Sequence, residues 1–156
     1  MKHFLLYFFL LISPVTSFAQ HERENEIQAS STNNIDIVYD FIDDLNNTQI
    51  ALDVILSKSV IVNQPTDELY DYLEASLEEI RLNLIYKDIE LVTVKNFNEL
   101  PRREVRDIDP EGLDVNNMFF VYYKDRLVFS LYVEKDKIGS FTLVSKGDDM
   151  AHFVRY

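Results

Sequence analysis

Five consecutive residues, Arg102-Arg103-Glu104-Val105-Arg106, gather three guanidinium groups within a chain whose formal net charge is -12. Arginine grips carboxylate and phosphate groups through paired N–H donors, so Arg102, Arg103 and Arg106 fit an anion-recognising flap. The same groups have Glu99, Glu104, Asp107 and Asp109 close by in sequence, and pairing within the stretch accounts for them without a ligand. Histidine is scarce: apart from His3 in the first residues, His21 stands in a polar leader and His152 near the end of the chain. A metal site built on several imidazoles therefore has no sequence support. The acidic pairs Asp43-Asp44, Glu78-Glu79 and Asp148-Asp149 lack calcium-loop spacing, and on a helix adjacent side chains diverge by about 100°. They read as solvated. The absence of cysteine excludes thiol catalysis, disulfides and Cys-based zinc sites. There is no nucleophile elbow, and the 3 glycines form no phosphate-cradling pattern. No cofactor and no metal are expected.

The elements that must position these residues follow from periodicity. Ile35, Val38, Ile42 and Leu45 repeat at helical spacing behind Asn33-Asn34, and Asn46-Asn47 ends that helix. Thr48 is the expected cap of a second, short helix reaching Ser57, with Ala51, Leu52, Ile55 and Leu56 on its apolar face. Val60-Ile61-Val62 reads as a short strand. Thr66 caps the longest helix, where Asp67 and Glu68 favour the positive end of the dipole and Leu69, Leu73, Leu77, Ile80 and Leu84 form one stripe. Strand-like sequence runs over residues 88–97, followed by a polar interruption over residues 98–117. Four further strands fit residues 118–123, 127–134, 138–145 and 150–156, with connections short enough for hairpins. Helices first and an antiparallel meander second predict an α+β fold.

Two of these strands, Met118-Phe119-Phe120-Val121-Tyr122-Tyr123 and Leu127-Val128-Phe129-Ser130-Leu131-Tyr132-Val133, are apolar on both faces. A half-buried strand alternates, so something must cover the second face. A second subunit packed on the outer sheet face is the favoured cover; the alternatives are that the loop of residues 98–117 covers it or that the Tyr and Phe side chains simply sit exposed.

Val38-Tyr39-Asp40-Phe41-Ile42-Asp43-Asp44-Leu45-Asn46 and the run ALDVILSKSVIVNQP over residues 51–65, set in this order of elements, resemble the NTF2-like superfamily. That is the cystatin-like cone shared by nuclear transport factor 2, the ketosteroid isomerases and the SnoaL-like polyketide cyclases. The resemblance covers residues 35–156. It implies N-terminal helices packed on a curved antiparallel β-sheet, a pocket at the open end of the cone, and homodimers formed through the outer sheet. It suggests Tyr39, Phe41, Tyr72, Phe120, Tyr122, Phe129 and Tyr132 as pocket-lining side chains, although core packing accounts for most of them equally well. In the isomerase branch a helix Tyr serves the oxyanion and an Asp before the Pro acts as base. Those positions fall here at Phe41 and Gln64, which have neither a hydroxyl nor a titrating base. Tyr39 is two residues away, which is about 200° around a helix. An enzyme would need acid and base moved to Tyr39, Asp40 or His152.

The first residues supply an address. Lys2, the apolar run of residues 4–12, Pro14 and the small-x-small pattern Ser17-Phe18-Ala19 read as an export signal over residues 1–19. The run is too short to span a membrane, and with no Cys at the cleavage point a lipid anchor is excluded. Residues 20–34 read as a flexible polar leader, which leaves one domain over residues 35–156. The acidic balance disfavours nucleic acid and anionic membranes. The expectation is a periplasmic or extracellular, non-catalytic domain with an apolar aromatic pocket for a small ligand or peptide. An NTF2-like isomerase, cyclase or dehydratase and an envelope accessory protein acting through dimerisation are the alternatives.

Overall fold

The computed structural model describes residues 33–147 and 149–156, so the expected export signal and leader residues 20–32 lie outside the described residues. Asn33 and Asn34, read from sequence as the end of the leader, are already helical. Helix α1 covers residues 33–46 and buries Asn34, Val38, Phe41, Ile42 and Leu45, one face at three- and four-residue steps. Asn34 is tolerated in that face because its Nδ2 donates to Asn117 Oδ1 at 2.8 Å. The chain turns where Asn47 N donates to Asp43 O and Asn47 Oδ1 accepts from Gln49 N, both at 3.0 Å. This turn consumes Thr48, so α2 begins later than expected and spans Leu52–Ser59, with Ala51 at its N-cap.

Running to Ser59, α2 also removes most of the strand expected at Val60-Ile61-Val62. Val60 N closes the helix on Leu56 O at 3.0 Å, and only a parallel bridge from Val60 to Ile138 remains. Helix α3, Asp67–Leu84, follows the sequence reading closely: Thr66 Oγ1 accepts from Leu69 N at 3.1 Å, and Leu73, Leu77 and Leu84 are buried. The fourth buried residue is charged. Arg81 reaches across the helix layer, its Nε donating to Leu45 O at 3.0 Å and its Nη2 to Ile50 O at 2.7 Å. It thereby takes up the Leu45 carbonyl at the end of α1, a group that a helix terminus leaves without an intrahelical partner, and the Ile50 carbonyl in the turn before α2.

Strands β1 (Val92–Asn96), β2 (Met118–Tyr123), β3 (Arg126–Glu134) and β4 (Lys137–Ser140) form an antiparallel sheet in the order β1-β2-β3-β4. The first is shorter than sequence suggested because Asp88 caps a 3-10 turn over Ile89–Leu91. Register shifts between Val121 and Tyr122 and between Tyr132 and Val133 mark bulges, which bend a sheet and increase its twist. Gly139 lies at the second one, where an added Cβ would stand 3.1 Å from Glu134 Cβ.

The strand predicted over residues 138–145 is two strands in two sheets. Ser140 Oγ accepts from Thr142 N and donates to Thr142 O, both at 3.1 Å, and Tyr156 Oη accepts from Phe141 N at 3.1 Å. Side-chain partners thus replace ladder bonds at the corner. Beyond it, β5 (Leu143–Gly147) pairs with β6 (Met150–Phe153) as a separate hairpin.

The fold is α+β, with helices packed on an antiparallel sheet. One apolar cluster joins α1, α2 and α3 to Phe119, Val121, Leu131, Val133 and Ile138 on the inner face. A second lies on the opposite face, where Met118, Phe120, Tyr122 and Tyr132 meet Leu100, Val105 and Phe153. The outer face that seemed to require another subunit is therefore covered by the chain itself. Residues 97–117 close over it with a short helix α4 (Arg102–Val105), and Asp107 O and Asp109 N bond to Ala151 of β6 at 2.8 and 2.7 Å. An asparagine network fixes the ends of this segment: Asn96 Nδ2 donates to Asn116 O at 2.7 Å, and Asn98 Nδ2 to Asn116 Oδ1 at 2.8 Å.

Candidate functional site

Strand alternation separates the aromatic side chains expected to line one pocket. Phe41 and Phe129 belong to the inner core, Phe41 stacking on Phe141 at 6.3 Å between centroids. Phe120, Tyr122 and Tyr132 point to the outer face and are buried under the covering segment and the β5–β6 hairpin. Tyr39 and Tyr72 are exposed on α1 and α3. They do not form one site, because successive strand residues take opposite faces. Tyr72 and Phe129 share a shallow cavity of ≈ 360 Å³ between α3 and the corner before β5.

A larger groove, ≈ 730 Å³, opens where the end of α3 passes the β2–β3 hairpin. Its floor and rim come from Tyr86, Lys87, Tyr123, Lys124, Arg126 and Leu127. Local structure sets each piece. Beyond Leu84 the chain makes one more turn, Lys87 N donating to Leu84 O at 2.8 Å, and this leaves Tyr86 projecting into solvent. Lys124 and Asp125 have φ of 49° and 64°, the two positive values of a two-residue type I′ hairpin, so Tyr123 and Arg126 face each other across the first pair of the ladder. The Tyr123 ring lies beneath two ammoniums: Lys87 Nζ is 5.7 Å and Lys124 Nζ 5.1 Å from its centroid, within cation–π range. Tyr86 is 83% exposed and Leu127 51% exposed.

Sequence reading passed over these residues. Lys124-Asp125-Arg126 registered only as a hairpin connection, and Tyr86 as the end of a helical period. The available signal was Leu127-Val128-Phe129, an unbroken apolar run near the start of β3 whose first residue is left half-exposed.

The arginines of residues 102–106 lie on and just after α4, above the outer face. Arg103 approaches Glu104 at 3.9 Å and Arg106 approaches Asp107 at 3.2 Å, both arginines being largely exposed, while Val105 between them is buried. Glu104 also accepts from the Tyr122 hydroxyl at 3.1 Å. Burial first, then that hydrogen bond, pushes the Tyr122 hydroxyl up to about 12. This contact helps fasten α4 to the sheet. Asp40 borders a small cavity of ≈ 170 Å³ with Asp44 and Lys58, where the ammonium bonds Asp44 at 2.7 Å and its pKa is raised by that partner. His152 is half-buried on β6, opposite Val144, with Nδ1 enclosed and without a partner among the described residues. A fourth cavity, ≈ 650 Å³, includes Gln64, Tyr72 and Glu134. None of the four cavities brings Tyr39 or Asp40 together with His152. Phe41, at the isomerase tyrosine position, is sealed in the core, and Gln64 is exposed. Among the described residues no cluster of three His, Asp or Glu groups has metal-site geometry, and no helix is long and apolar enough to cross a membrane.

Comparison with known proteins gives no match: no family model, no curated protein and no solved structure is significantly similar to the chain. Chemically, the groove offers cations, ring faces and an exposed aliphatic surface. Its described lining holds no carboxylate, histidine or serine.

Proposed function

We propose that this chain is an exported, non-catalytic binding domain whose ligand site is the groove between the end of α3 and the β2–β3 hairpin. One observation carries the proposal: two large side chains, Tyr86 and Leu127, stand open to solvent at the rim of a groove of ≈ 730 Å³. Exposed apolar side chains scattered singly need no explanation, but those gathered at a concavity of small-molecule size mark a binding site. The order of helix, short helix, long helix and bulged antiparallel sheet supports an NTF2-like kinship. The missing isomerase pair at Phe41 and Gln64 supports binding over catalysis. Pairing of two copies through the outer sheet, the accessory-protein alternative, has lost its motive now that residues 97–117 cover that face.

The test uses the full-length chain, expressed with its own N-terminal segment and purified after export. A mature N-terminus at Gln20 would support the export signal, and retention of residues 1–19 on a cytoplasmic product would refute it. Titration with N-phenyl-1-naphthylamine, an uncharged fluorescent aromatic, should give saturable one-site binding. Leu127→Asp, at a half-exposed position, should retain the melting temperature and lose the probe. Absence of saturable binding, or undiminished binding by Leu127→Asp, would overturn the groove as the site.

A further inference from the structure

We infer that the groove selects a small organic anion, an apolar or aromatic body carrying a carboxylate, sulfonate or phosphate; this rests on the groove being the ligand site. The formal net charge of the chain is -12, yet Lys87, Lys124 and Arg126 converge on this groove and no carboxylate is among its described lining residues. Lys87 and Lys124 approach the same Tyr123 ring, so both positive fields fall on one surface. Among the described residues neither Lys124 nor Arg126 has a carboxylate within ion-pair distance. Elsewhere several exposed cations have such partners, as Lys58 has Asp44 and Arg155 has Glu134. Gathered like charges repel, and a bound anion relieves that repulsion while an apolar body covers Tyr86 and Leu127.

Size and field together choose a small occupant. A groove of ≈ 730 Å³ lies within the roughly 300–1,000 Å³ of small-molecule sites. At physiological ionic strength charges are felt over about 8 Å, so a small anion in the groove senses mainly the local cations. A polyanion or an anionic bilayer spreads across the acidic remainder of the surface and is repelled by it.

The test compares 1-anilinonaphthalene-8-sulfonate with its uncharged analogue N-phenyl-1-naphthylamine on the full-length exported protein. The sulfonate should bind more tightly. The ratio of the two affinities should fall about two- to fivefold in each of Lys124→Gln and Arg126→Gln, further in the double variant, and again between about 50 mM and about 500 mM NaCl. Lys87 is left unchanged because its Nζ also donates to Asn83 O at the end of α3. Equal binding of the two probes, or a ratio that survives the double variant, overturns the anion inference and leaves the groove standing. Failure of both probes overturns the groove itself. Displacement of the sulfonate by a polyglutamate peptide as readily as by decanoate would refute the small-anion assignment in favour of an acidic polypeptide.

Discussion

Replacing Arg81 with Met removes a clasp between helices while keeping an aliphatic stem of similar length. Arg81 is buried, and its guanidinium donates to Leu45 O at 3.0 Å and Ile50 O at 2.7 Å. Leu45 lies in the last turn of α1 and Ile50 in the turn leading to α2, so one side chain ties α3 to both. The variant leaves two carbonyls facing an apolar chain, and each buried polar group without a partner costs about 1–3 kcal/mol. Removing a desolvated charge returns part of that. The net is about 2–4 kcal/mol of lost stability. With a urea m-value of roughly 1–3 kcal/mol/M, the midpoint of equilibrium unfolding followed by far-UV circular dichroism should fall by about 1–3 M. Arg81→Lys, which keeps the charge but not the two-pronged reach, should fall between the two. A midpoint for Arg81→Met equal to or above that of the parent would refute the clasp.

Tyrosinate absorbance should show Tyr122 ionising late, near pH 12 rather than 10. Its raised value means that the folded chain holds this proton more tightly, so the linked stability is complete below pH 10 and is lost as pH rises toward 12. Tyr122→Phe should delete that late component, and a titration unchanged by the substitution would contradict the assignment. Val105→Asp should lift α4, expose the cluster around Phe120 and shift the protein toward larger species on gel filtration relative to the parent; an unchanged elution volume and melting temperature would show that the outer face does not depend on this cover. Tyr156→Phe removes the hydroxyl that accepts from Phe141 N and pairs with Thr142 Oγ1 at 2.5 Å, with an expected cost of about 1–3 kcal/mol in chemical denaturation; a change within error would remove Tyr156 from the corner. Gly139→Ala should cost about 1–3 kcal/mol, since its Cβ would crowd Glu134 Cβ and Tyr132 Cδ1 at 3.1 and 3.2 Å; a neutral substitution would mean that the bulge yields easily.

Legibility followed the range of the interactions involved. Helix α3 was readable because its cap, charged first turn and apolar stripe lie within the helix and the residue before it. β2 and β3 were readable from composition and from the short connection at Lys124-Asp125. Thr48 was misassigned as a cap because Asn47 competes for the same turn, and Val60 because its N–H serves α2. The break between β4 and β5 depends on Tyr156, whose hydroxyl returns from the far end of the chain to Phe141 and Thr142. No window around residues 138–145 contains that partner.

By itself the sequence determined the α+β class, the long amphipathic helix, the hairpins, the acidic balance and the absence of cysteine chemistry. It also raised the need to cover the second face of β2 and β3, since alternation at period two is a property of the strand alone. Only the tertiary structure decided what covers that face: residues 97–117 and the β5–β6 hairpin, tied by Asp107, Asp109 and Ala151. The tertiary structure likewise scattered the expected pocket aromatics over two faces and assembled the groove from Tyr86 and Lys87 on one side and Tyr123 to Leu127 on the other. A helix or hairpin is encoded by neighbours a few residues apart, whereas a cover or a groove joins segments distant in sequence and exists only once the chain has folded.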